Sequence, residues 1–521
     1  MELEGINLRM SRIIDWPSIY YPQEEAIVNV ERGRRLTFEE LANITNQMAN
    51  ALIELGVEKI ATMVYNDNQV IFCRFSVPKL PILNLWLGIR ESFASCVAQI
   101  EFVNPSHLFV DRDFVPLFYE YCKKKEIKLV CMDEPPEGYE DVENFSELWK
   151  EESKTPPDVL VDITKPSVIR YTAGTTGEGK PVARRFLDSL IHLAMLYSLP
   201  EKGDPPYSDK TRLLLVLPAT HMAGLSVWPT YFKGGKIVTL NKPDIELICQ
   251  TIERERITMV SLVPTVVYRI LDAKLYQKYD LSSLKILAVG GQAISPARIE
   301  QVIKVFGRQI FVQGYGSTEA FAPIVHTLRE DYKNPEKVNS IGRPLLGVDI
   351  KIVDENGKEV PPKTIGELWI SAPTVARGYY KRQDLTTQEF TEEGYWKSGD
   401  LGYYDEDGYI FIYDRKKDMI KTGGWNVYAQ EVEDVLNSHP AVAISCVIGI
   451  PHPEWGEAVH AEVVLKEGAI VSEEELKRFC KEKGLASYKV PKSITFVREL
   501  PLSPVGKVLR RFVREKYWKK R

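Results

Sequence analysis

The sequence lacks the features that mark several broad classes of protein. Its richest apolar window, residues 213–229, is interrupted by Pro218 and His221, so no window is apolar enough to span a bilayer. Seven scattered cysteines form no CxxC pair, which is typical of reduced core thiols. The net charge of −5 gives no reason to expect nucleic acid as a partner. Charged residues interrupt the first fourteen positions, where a secretory signal needs an apolar stretch. We therefore expect a cytoplasmic protein with no integral membrane segment.

The middle of the chain alternates between predicted strands and helices. The predicted strands cover residues 213–217, 257–263, 284–289 and 309–312. Predicted helices lie near residues 244–256 and after Ser295, which is followed by a proline suited to the first helical turn. This alternation predicts a mostly parallel sheet with helices on its faces. A polar or glycine-rich segment follows each strand, so we expect one ligand cleft at the carboxyl ends of the strands.

The pattern changes twice towards the end of the chain. From about residue 340, short strands and tight turns predict a β-rich subdomain that ends near residue 415. A new α/β pattern begins at residue 416 and includes a predicted helix at 429–437. With 521 residues, the chain is too long for one core. The predicted fold is therefore mixed α/β, with a large domain at 1–415 and a small C-terminal α+β domain at 416–521.

The densest cluster of potential phosphate ligands is Y-T-A-G-T-T-G-E-G-K at residues 171–180. Its glycines let backbone amides surround an anion, its hydroxyls add donors, and Lys180 adds a charge. Residues 174–180 also match the G-x-x-x-x-G-K of a P-loop. The next residue is Pro181 rather than Ser or Thr, so it has no hydroxyl for magnesium. The segment therefore predicts a nucleotide loop of another family.

Six ordered motifs together give this chain a family resemblance. The motifs are the loop at 171–180, G-Y-G-S-T-E-A at 314–320, Y-W-K-S-G-D at 395–400, D-R-K-K-D at 414–418, K-T-G-G-W-N-V at 421–427 and P-L-S-P-V-G-K at 501–507. With these motifs the chain resembles the acyl-adenylate-forming superfamily, and G-G-W-N-V at 423–427 is similar to its fatty-acyl and aryl-acid CoA ligase branch. The loop departs from the family pattern at Ala173, Gly179 and Pro181, and residues 57–105 match it poorly.

The resemblance implies an AMP-forming acid–thiol ligase that uses ATP, Mg2+ and coenzyme A. A carboxylate attacks the α-phosphorus of ATP and releases pyrophosphate, and the CoA thiol then displaces AMP to give a thioester. The apolar lining expected for the acyl pocket shows no obvious arginine for a second carboxylate, which favours a fatty or aryl monocarboxylic acid. Two alternatives remain: a stand-alone adenylation enzyme that loads a carrier protein, and a non-catalytic nucleotide-binding regulator. The sequence leaves a homodimer open.

The resemblance also implies roles for individual residues in binding ATP. Thr318 would donate to a phosphate, Glu319 would hold Mg2+, and Lys507 would stabilise charge at the α-phosphate and the carboxylate. Asp400 would accept the ribose hydroxyls, supported by Arg415. The β- and γ-phosphates would be held by Thr172, Thr175, Thr176, Gly177 and Lys180, and adenine would be bracketed by Gly291, Gln292, Gly314 and Tyr315.

The remaining implied roles concern the acid, the thiol and a domain movement. His221 would line the acyl pocket, although a purely structural histidine is an alternative. The segment of Gly423, Gly424 and Trp425 would meet the pantetheine of CoA. The small domain would be mobile and would rotate about a hinge at Lys417, withdrawing Lys507 after the first half-reaction. Taken alone, Lys507 would be a surface lysine and Asp400 a turn residue, so these roles depend on the motifs occurring together.

Overall fold

A computed structural model describes residues 5–172, 179–200, 205–292, 294–321, 323–502 and 507–518. Thr175, Thr176 and Gly177, predicted to bind phosphate, lie outside the described residues, as does Ala173. No helix in the described ranges combines the length and the apolar character needed to cross a membrane.

The central layer of the large N-terminal part is a nine-stranded sheet. Its six inner strands are parallel, and antiparallel strands cover both edges. Inner strands such as Met259–Leu262 are buried throughout, as expected where helices cover both faces of a parallel sheet. In sheet order, the strands are Arg343–Pro344, Val325–His326, Phe311–Tyr315, Ile286–Gly290, Met259–Leu262, Arg212–Leu215, Lys236–Thr239, Glu25–Asn29 and Arg34–Thr37.

A second, seven-stranded sheet contains the stretch that matches the family pattern poorly. All of its strand pairs are parallel except the pair at the edge that carries the phosphate loop. A separate two-stranded pair joins Asn7–Leu8 to Val161–Asp162. In sheet order, the seven strands are Pro181–Arg185, Pro166–Tyr171, Leu83–Trp86, Lys59–Met63, His107–Val110, Lys128–Cys131 and Glu143–Asn144.

The helices pack between and around these sheets, and several begin at side-chain caps. Thr37 and Glu40 form a reciprocal capping box, and Asp244 accepts from Leu247 N. The α-helices are Met10–Ile14, Trp16–Tyr20, Phe38–Glu54, Asn66–Val70, Phe93–Val103, Val115–Lys125, Phe145–Lys150, Phe186–Tyr197, Val227–Tyr231, Ile245–Glu255, Pro264–Asp272, Pro296–Phe306, Gln383–Glu389, Ala429–Asn437, Glu473–Glu482 and Arg510–Trp518. A π-helical segment, Ile71–Ser76, directly follows the helix Asn66–Val70.

The β-rich part forms a four-stranded antiparallel sheet within the predicted range of about 340–415. Its strands, in sheet order, are Asp349–Val353, Gly366–Ser371, Trp396–Tyr404 and Ile410–Arg415. One predicted strand was misplaced: residues 308–310 form a 3-10 turn, and the strand begins at Phe311. The short turn follows Gly307, whose positive φ of 91° ends the preceding helix.

The C-terminal part has a sheet and a hydrophobic core of its own. Its core includes Val432 and Leu436 of a helix and Val463 of the sheet, all fully buried. The small domain also contacts the large one, since Arg298 Nη2 donates to the carbonyl oxygen of Ala443 over 3.3 Å. The strands are Trp425–Val427, Ile420–Thr422, Gly456–Leu465 and Val442–His452 in sheet order, with Ser493–Phe496 parallel to Gly456–Leu465.

Candidate active site

Two neighbouring parallel strands end side by side at the cleft. Gly290 and Gly314 are register partners at the carboxyl ends of these strands. A Cβ atom at Gly290 would lie 2.9 Å from the carbonyl oxygen of Gly314, so a side chain there would force the strands apart. The result is a flat backbone surface at the strand ends, where open α/β sheets bind ligands.

Gly291 and Gln292, which follow Gly290, form part of this surface. Gly291 has a positive φ of 82°, which favours glycine, and a Cβ atom there would lie 3.0 Å from Lys507 Cε. The side-chain oxygen of the neighbouring Gln292 is buried and has no hydrogen-bond partner. A buried acceptor without a donor costs free energy, so this oxygen fits a ligand amino group such as that of adenine.

Lys507, which comes from the C-terminal part, therefore lies beside the strand ends of the large domain. Its pKa is lowered to about 8, first by burial and then by the positive charges of Arg415 and Arg170, while Asp400 opposes the shift. A lysine in such a positive, partly buried environment is a suitable partner for an anionic ligand.

Asp400 forms the centre of a second group at the cleft. It is 6% exposed, and the Tyr315 hydroxyl donates to its Oδ2 over 2.6 Å. Arg415 Nε lies 3.0 Å from Asp400 Oδ1, because the two residues face each other on adjacent antiparallel strands. The negative charge of Asp400 in turn raises the pKa of Arg415. These contacts fix a carboxylate, the acceptor that a pair of ribose hydroxyls requires, at the end of the strand Phe311–Tyr315.

Thr318 and Glu319 follow that strand and are held in place by two arginines and a tyrosine. Arg170 Nη2 donates to Thr318 Oγ1 over 3.2 Å, and Arg184 donates to the Thr318 carbonyl. Glu319 is 7% exposed, with its Oε1 lying 3.1 Å from the hydroxyl of Tyr379. The hydroxyl of Thr318 and the carboxylate of Glu319 are therefore held in fixed orientations.

The carboxylate of Glu319 suits a hard cation that also binds phosphate. Carboxylate and phosphate oxygens are the ligands that Mg2+ prefers. Within the described ranges, no cluster of three or more metal-ligating side chains occurs. An ion held by Glu319 would therefore complete its coordination with phosphate oxygens and water, as Mg2+ commonly does beside a nucleotide.

The base of the predicted phosphate loop is closed by two hydrogen bonds. Thr172 N donates to the Lys180 carbonyl over 3.0 Å, and Lys180 N donates to Thr172 Oγ1 over 3.0 Å. A Cβ atom at Gly179 would lie only 2.7 Å from the Thr172 carbonyl oxygen. Glycine at position 179, where the family pattern has proline, thus allows the two ends of the loop to approach each other closely.

Lys180 and Glu319 are connected through residues that no motif identified. The ammonium group of Lys180 pairs with the Glu389 carboxylate, and the Tyr379 hydroxyl lies 2.6 Å from Glu389 Oε2. Burial and the charges of both carboxylates raise the pKa of Tyr379, so its hydroxyl stays protonated as a donor. Glu389 lies at the end of the short helix Gln383–Glu389, and nothing in the sequence of this helix marks it as part of a functional site.

His221 lies close to Arg170 and Lys507, whose charges act on its ring. Its Nδ1 is 2.8 Å from Thr220 Oγ1. Burial and the positive charges of Arg170 and Lys507 hold its pKa well below the ordinary value, so the ring is neutral at neutral pH. It is therefore a polar lining residue near Lys507 rather than a charged group.

The predicted thiol-binding segment lies elsewhere in this structure. Gly423 N donates to the Trp455 carbonyl over 3.0 Å. Trp425 is 58% exposed and stacks on Tyr488, with ring centroids 4.9 Å apart. Both partners belong to the C-terminal part, so the fold brings Lys507 to the cleft while Trp425 faces solvent.

Comparisons with known proteins identify the family to which this chain belongs. A family model described as AMP-binding enzyme matches residues 18–380, and the model of the AMP-binding enzyme C-terminal domain matches 431–507. The chain belongs to the AMP-binding enzyme family. The predicted acyl-adenylate-forming superfamily and its mixed α/β fold are thereby confirmed.

Two curated relatives and one solved structure illustrate the similarity. The chain is 37% identical to the medium/long-chain-fatty-acid–CoA ligase FadD8 of Mycobacterium tuberculosis, over 70% of this chain and 62% of FadD8. It is 31% identical to the indoleacetate–CoA ligase of Aromatoleum aromaticum, over 98% of each chain. The crystal structure of the anthranilate CoA ligase AuaEII with anthranoyl-AMP shares the fold, with a TM-score of 0.88, 24% identity and coverage of 99% and 98%. These relatives are CoA ligases, in agreement with the predicted enzyme class.

Proposed function

We propose that this protein is an ATP-dependent acid–CoA ligase that works through an acyl-adenylate. The observation that carries the proposal is the position of Lys507 beside Gly291, on the cleft that also holds Asp400 and Glu319. A lysine there can interact with a phosphate only while the small domain covers the cleft. The names of the curated relatives support CoA as the acceptor.

The chemistry follows from the charges that the cleft presents. A carboxylate oxygen bonds to the α-phosphorus of ATP while the bond to the bridging oxygen breaks and pyrophosphate leaves. Lys507 would stabilise the negative charge that develops at the α-phosphate, and one such positioned group contributes about 3–4 kcal/mol. Glu319 would hold Mg2+, which neutralises phosphate charge when bound. Asp400 would fix the ribose, and Lys180 would leave Glu389 to meet the terminal phosphates.

Thioester formation requires a different arrangement of the small domain. The thiol gives up its proton to solvent, its sulfur bonds to the acyl carbon, and AMP leaves with the electrons of the broken bond. We propose that residues 416–521 rotate about Lys417, which withdraws Lys507 and brings Gly423, Gly424 and Trp425 to the cleft. This proposal is supported by the separate core of the small domain and by the exposure of Trp425 in the present arrangement.

The division of labour is tested by separating the two half-reactions. Lys507→Ala should lose about 100-fold or more in ATP–pyrophosphate exchange. The same variant should still convert supplied acyl-adenylate and CoA to thioester. Lys481→Ala, a change of an exposed lysine in the same domain, serves as the matched control.

Three outcomes would contradict the proposal. Equal loss of both half-reactions in Lys507→Ala would remove the assigned role of Lys507. Transfer to a carrier protein but not to CoA would favour the stand-alone adenylation enzyme, and ATP binding without pyrophosphate release for any acid would favour a regulator.

A further inference from the structure

A group of two guanidiniums beside the cleft forms no ion pair within the described residues. It consists of Arg74, from the stretch that matches the family pattern poorly, and Arg170, on the strand that leads into the phosphate loop. His192 lies close to Arg74, and neither arginine forms an ion pair with a carboxylate of the described residues, although the charge of Glu319 acts on Arg170. A buried guanidinium without an anion is costly, so the site is built for a negatively charged ligand group.

Arg74 is fixed in this position by a buried segment that docks on the central sheet. Asn66 Nδ2 donates to the carbonyls of Leu217 and Leu240, and its Oδ1 accepts from Ala219 N over 2.8 Å. The π-helical turn that follows carries Arg74, and such turns occur often at functional sites. The guanidinium is therefore held at the edge of the cleft by contacts far apart in sequence.

The surroundings of Arg74 satisfy only part of its hydrogen-bonding capacity. Its side chain donates to the Ala219 carbonyl and lies 5.0 Å from the ring centroid of Trp86, and the residue is 9% exposed. Its Nε is buried and has no hydrogen-bond partner. A Cβ atom at Gly224 would lie 2.2 Å from Arg74 Nη2, so this glycine leaves room for the guanidinium.

Two neighbouring side chains point to the same missing anion. Arg170 Nε is buried without a partner, and burial together with the charges of Arg184 and Arg74 lowers its pKa to about 9, while the charge of Glu319 opposes the shift. His192 is 2% exposed, and its Nε2 also lacks a partner. Burial and the same positive charges lower the pKa of His192 to about 3, so the ring is neutral. Three buried donor or acceptor sites are thus open around one positive region.

Arg74 lies on the acid side of the cleft, whereas Arg170 also reaches Thr318, to whose hydroxyl it donates. The charge of Arg170 lowers the pKa values of both His221 and Lys507, which places it near the proposed reaction centre. Arg74 contacts Ala219, two residues before His221. Lys180 and Glu389, the proposed phosphate side, form a separate pair. An acid whose reacting carboxylate lies near Lys507 would therefore extend towards Arg74.

Resting on the proposed function, we infer that the acid substrate carries a second carboxylate, which Arg74 and Arg170 bind. The predicted monocarboxylic preference missed both arginines, because the pocket was expected to be lined by residues 221–228, 263–266, 290–292 and 314–322, and neither arginine lies in these segments. The second carboxylate would accept charge-assisted hydrogen bonds from the two guanidinium groups. Trp86 provides an apolar wall beside them, so the connecting part of the acid is aliphatic or aromatic.

The test compares dicarboxylic acids with their half methyl esters, which have nearly the same shape but one charge fewer. Pyrophosphate release is measured with purified full-length protein, ATP, Mg2+ and CoA for aliphatic and aryl diacids of graded length. We expect kcat/KM for the best diacid to exceed that of its half ester by about 30- to 100-fold, because a charged hydrogen-bonded group is lost. In Arg74→Met and Arg170→Gln this ratio should fall towards one, whereas Arg254→Met, an exposed arginine control, should retain it.

Several results would overturn the inference. It is wrong if the wild type prefers the half esters, or if well-folded Arg74→Met keeps the wild-type ratio. Stimulation of monoacid turnover by inorganic phosphate, without a diacid preference, would show that the region takes a free anion instead. If Arg74→Met does not fold, two ratios still test the inference. A wild-type ratio near one, or a wild-type ratio retained by Arg170→Gln, would contradict it. Turnover of monoacids alone refutes only this inference, whereas no pyrophosphate release with any acid refutes the proposed function as well.

Discussion

The adenylation half-reaction should lose activity at a lower pH than an ordinary lysine would predict. Lys507 must be protonated to stabilise negative charge at the α-phosphate. Burial and the charge of Arg415 lower its pKa from 10.5 to about 8. Because the charged form is the active one, kcat/KM should be constant well below pH 8 and fall as the pH rises through that value.

The size of the fall follows from the fraction of Lys507 that stays charged. One pH unit above the pKa leaves about one tenth of the lysine protonated, so kcat/KM should drop about tenfold per unit. The loss should level off at about 100- to 1,000-fold, which corresponds to the 3–4 kcal/mol that one positioned charge contributes. Bound ATP adds negative charge near Lys507, so the fall in kcat should occur at higher pH than the fall in kcat/KM.

The assay is ATP–pyrophosphate exchange across the pH range, with two arginine substitutions. Lys507→Arg keeps its charge throughout, so its profile should show no alkaline fall. Lys417 is the necessary control, because burial and Arg415 lower its pKa to about 8 as well. Lys417→Arg should therefore retain the wild-type fall. The reasoning is refuted if the fall persists in Lys507→Arg or disappears in Lys417→Arg.

Three further changes test other parts of the structure. Glu389→Gln removes the charged partner of Lys180, which leaves Lys180 available to the phosphates of ATP and should lower the KM for ATP. Since both side chains are about one quarter exposed, the fall should be no more than about fivefold. A raised KM would contradict this. Asp400→Asn weakens the ribose site and should raise the KM for ATP about tenfold or more in steady-state kinetics, whereas an unchanged KM would exclude the role. Leu476→Ala opens a cavity in the small-domain core and should cost about 2–5 kcal/mol. Calorimetry should then show an early separate transition, and one shifted transition would argue against an independent domain.

The parts of the cleft that sequence could predict are those in which chemistry follows directly from local pattern. Gly290 and Gly314 could be placed at strand ends because buried apolar runs stop there, and parallel strands end at one edge. Asp400 and Arg415 could be placed in one subdomain from two turn-rich runs. Their direct contact required the register of the two strands, which the spacing of the turn between them sets only approximately.

The residues that sequence missed depend on packing between distant segments. Arg74 contacts Ala219 across 145 positions of sequence, through a helix that no motif marks. Glu389 reaches Lys180 from a short polar helix that resembles any surface helix. Arg170 did leave a signal, since it is a charged residue within an apolar strand, next to the phosphate loop. A charged side chain that is partly withdrawn from water is costly, and that cost was an available indication of a ligand.

A contact between the two domains bears on the proposed rotation of the small domain. Arg298 is 1% exposed; it pairs with Asp272 over 2.8 Å and also donates to Ala443 of the small domain. Rotation of that domain would break the contact with Ala443 but leave the pair with Asp272, so the buried guanidinium would keep a partner. Breaking a contact costs little free energy when no buried charge is left without a partner. The contact with Ala443 would therefore allow the proposed rotation, in which Lys507 is withdrawn between the two steps of the reaction.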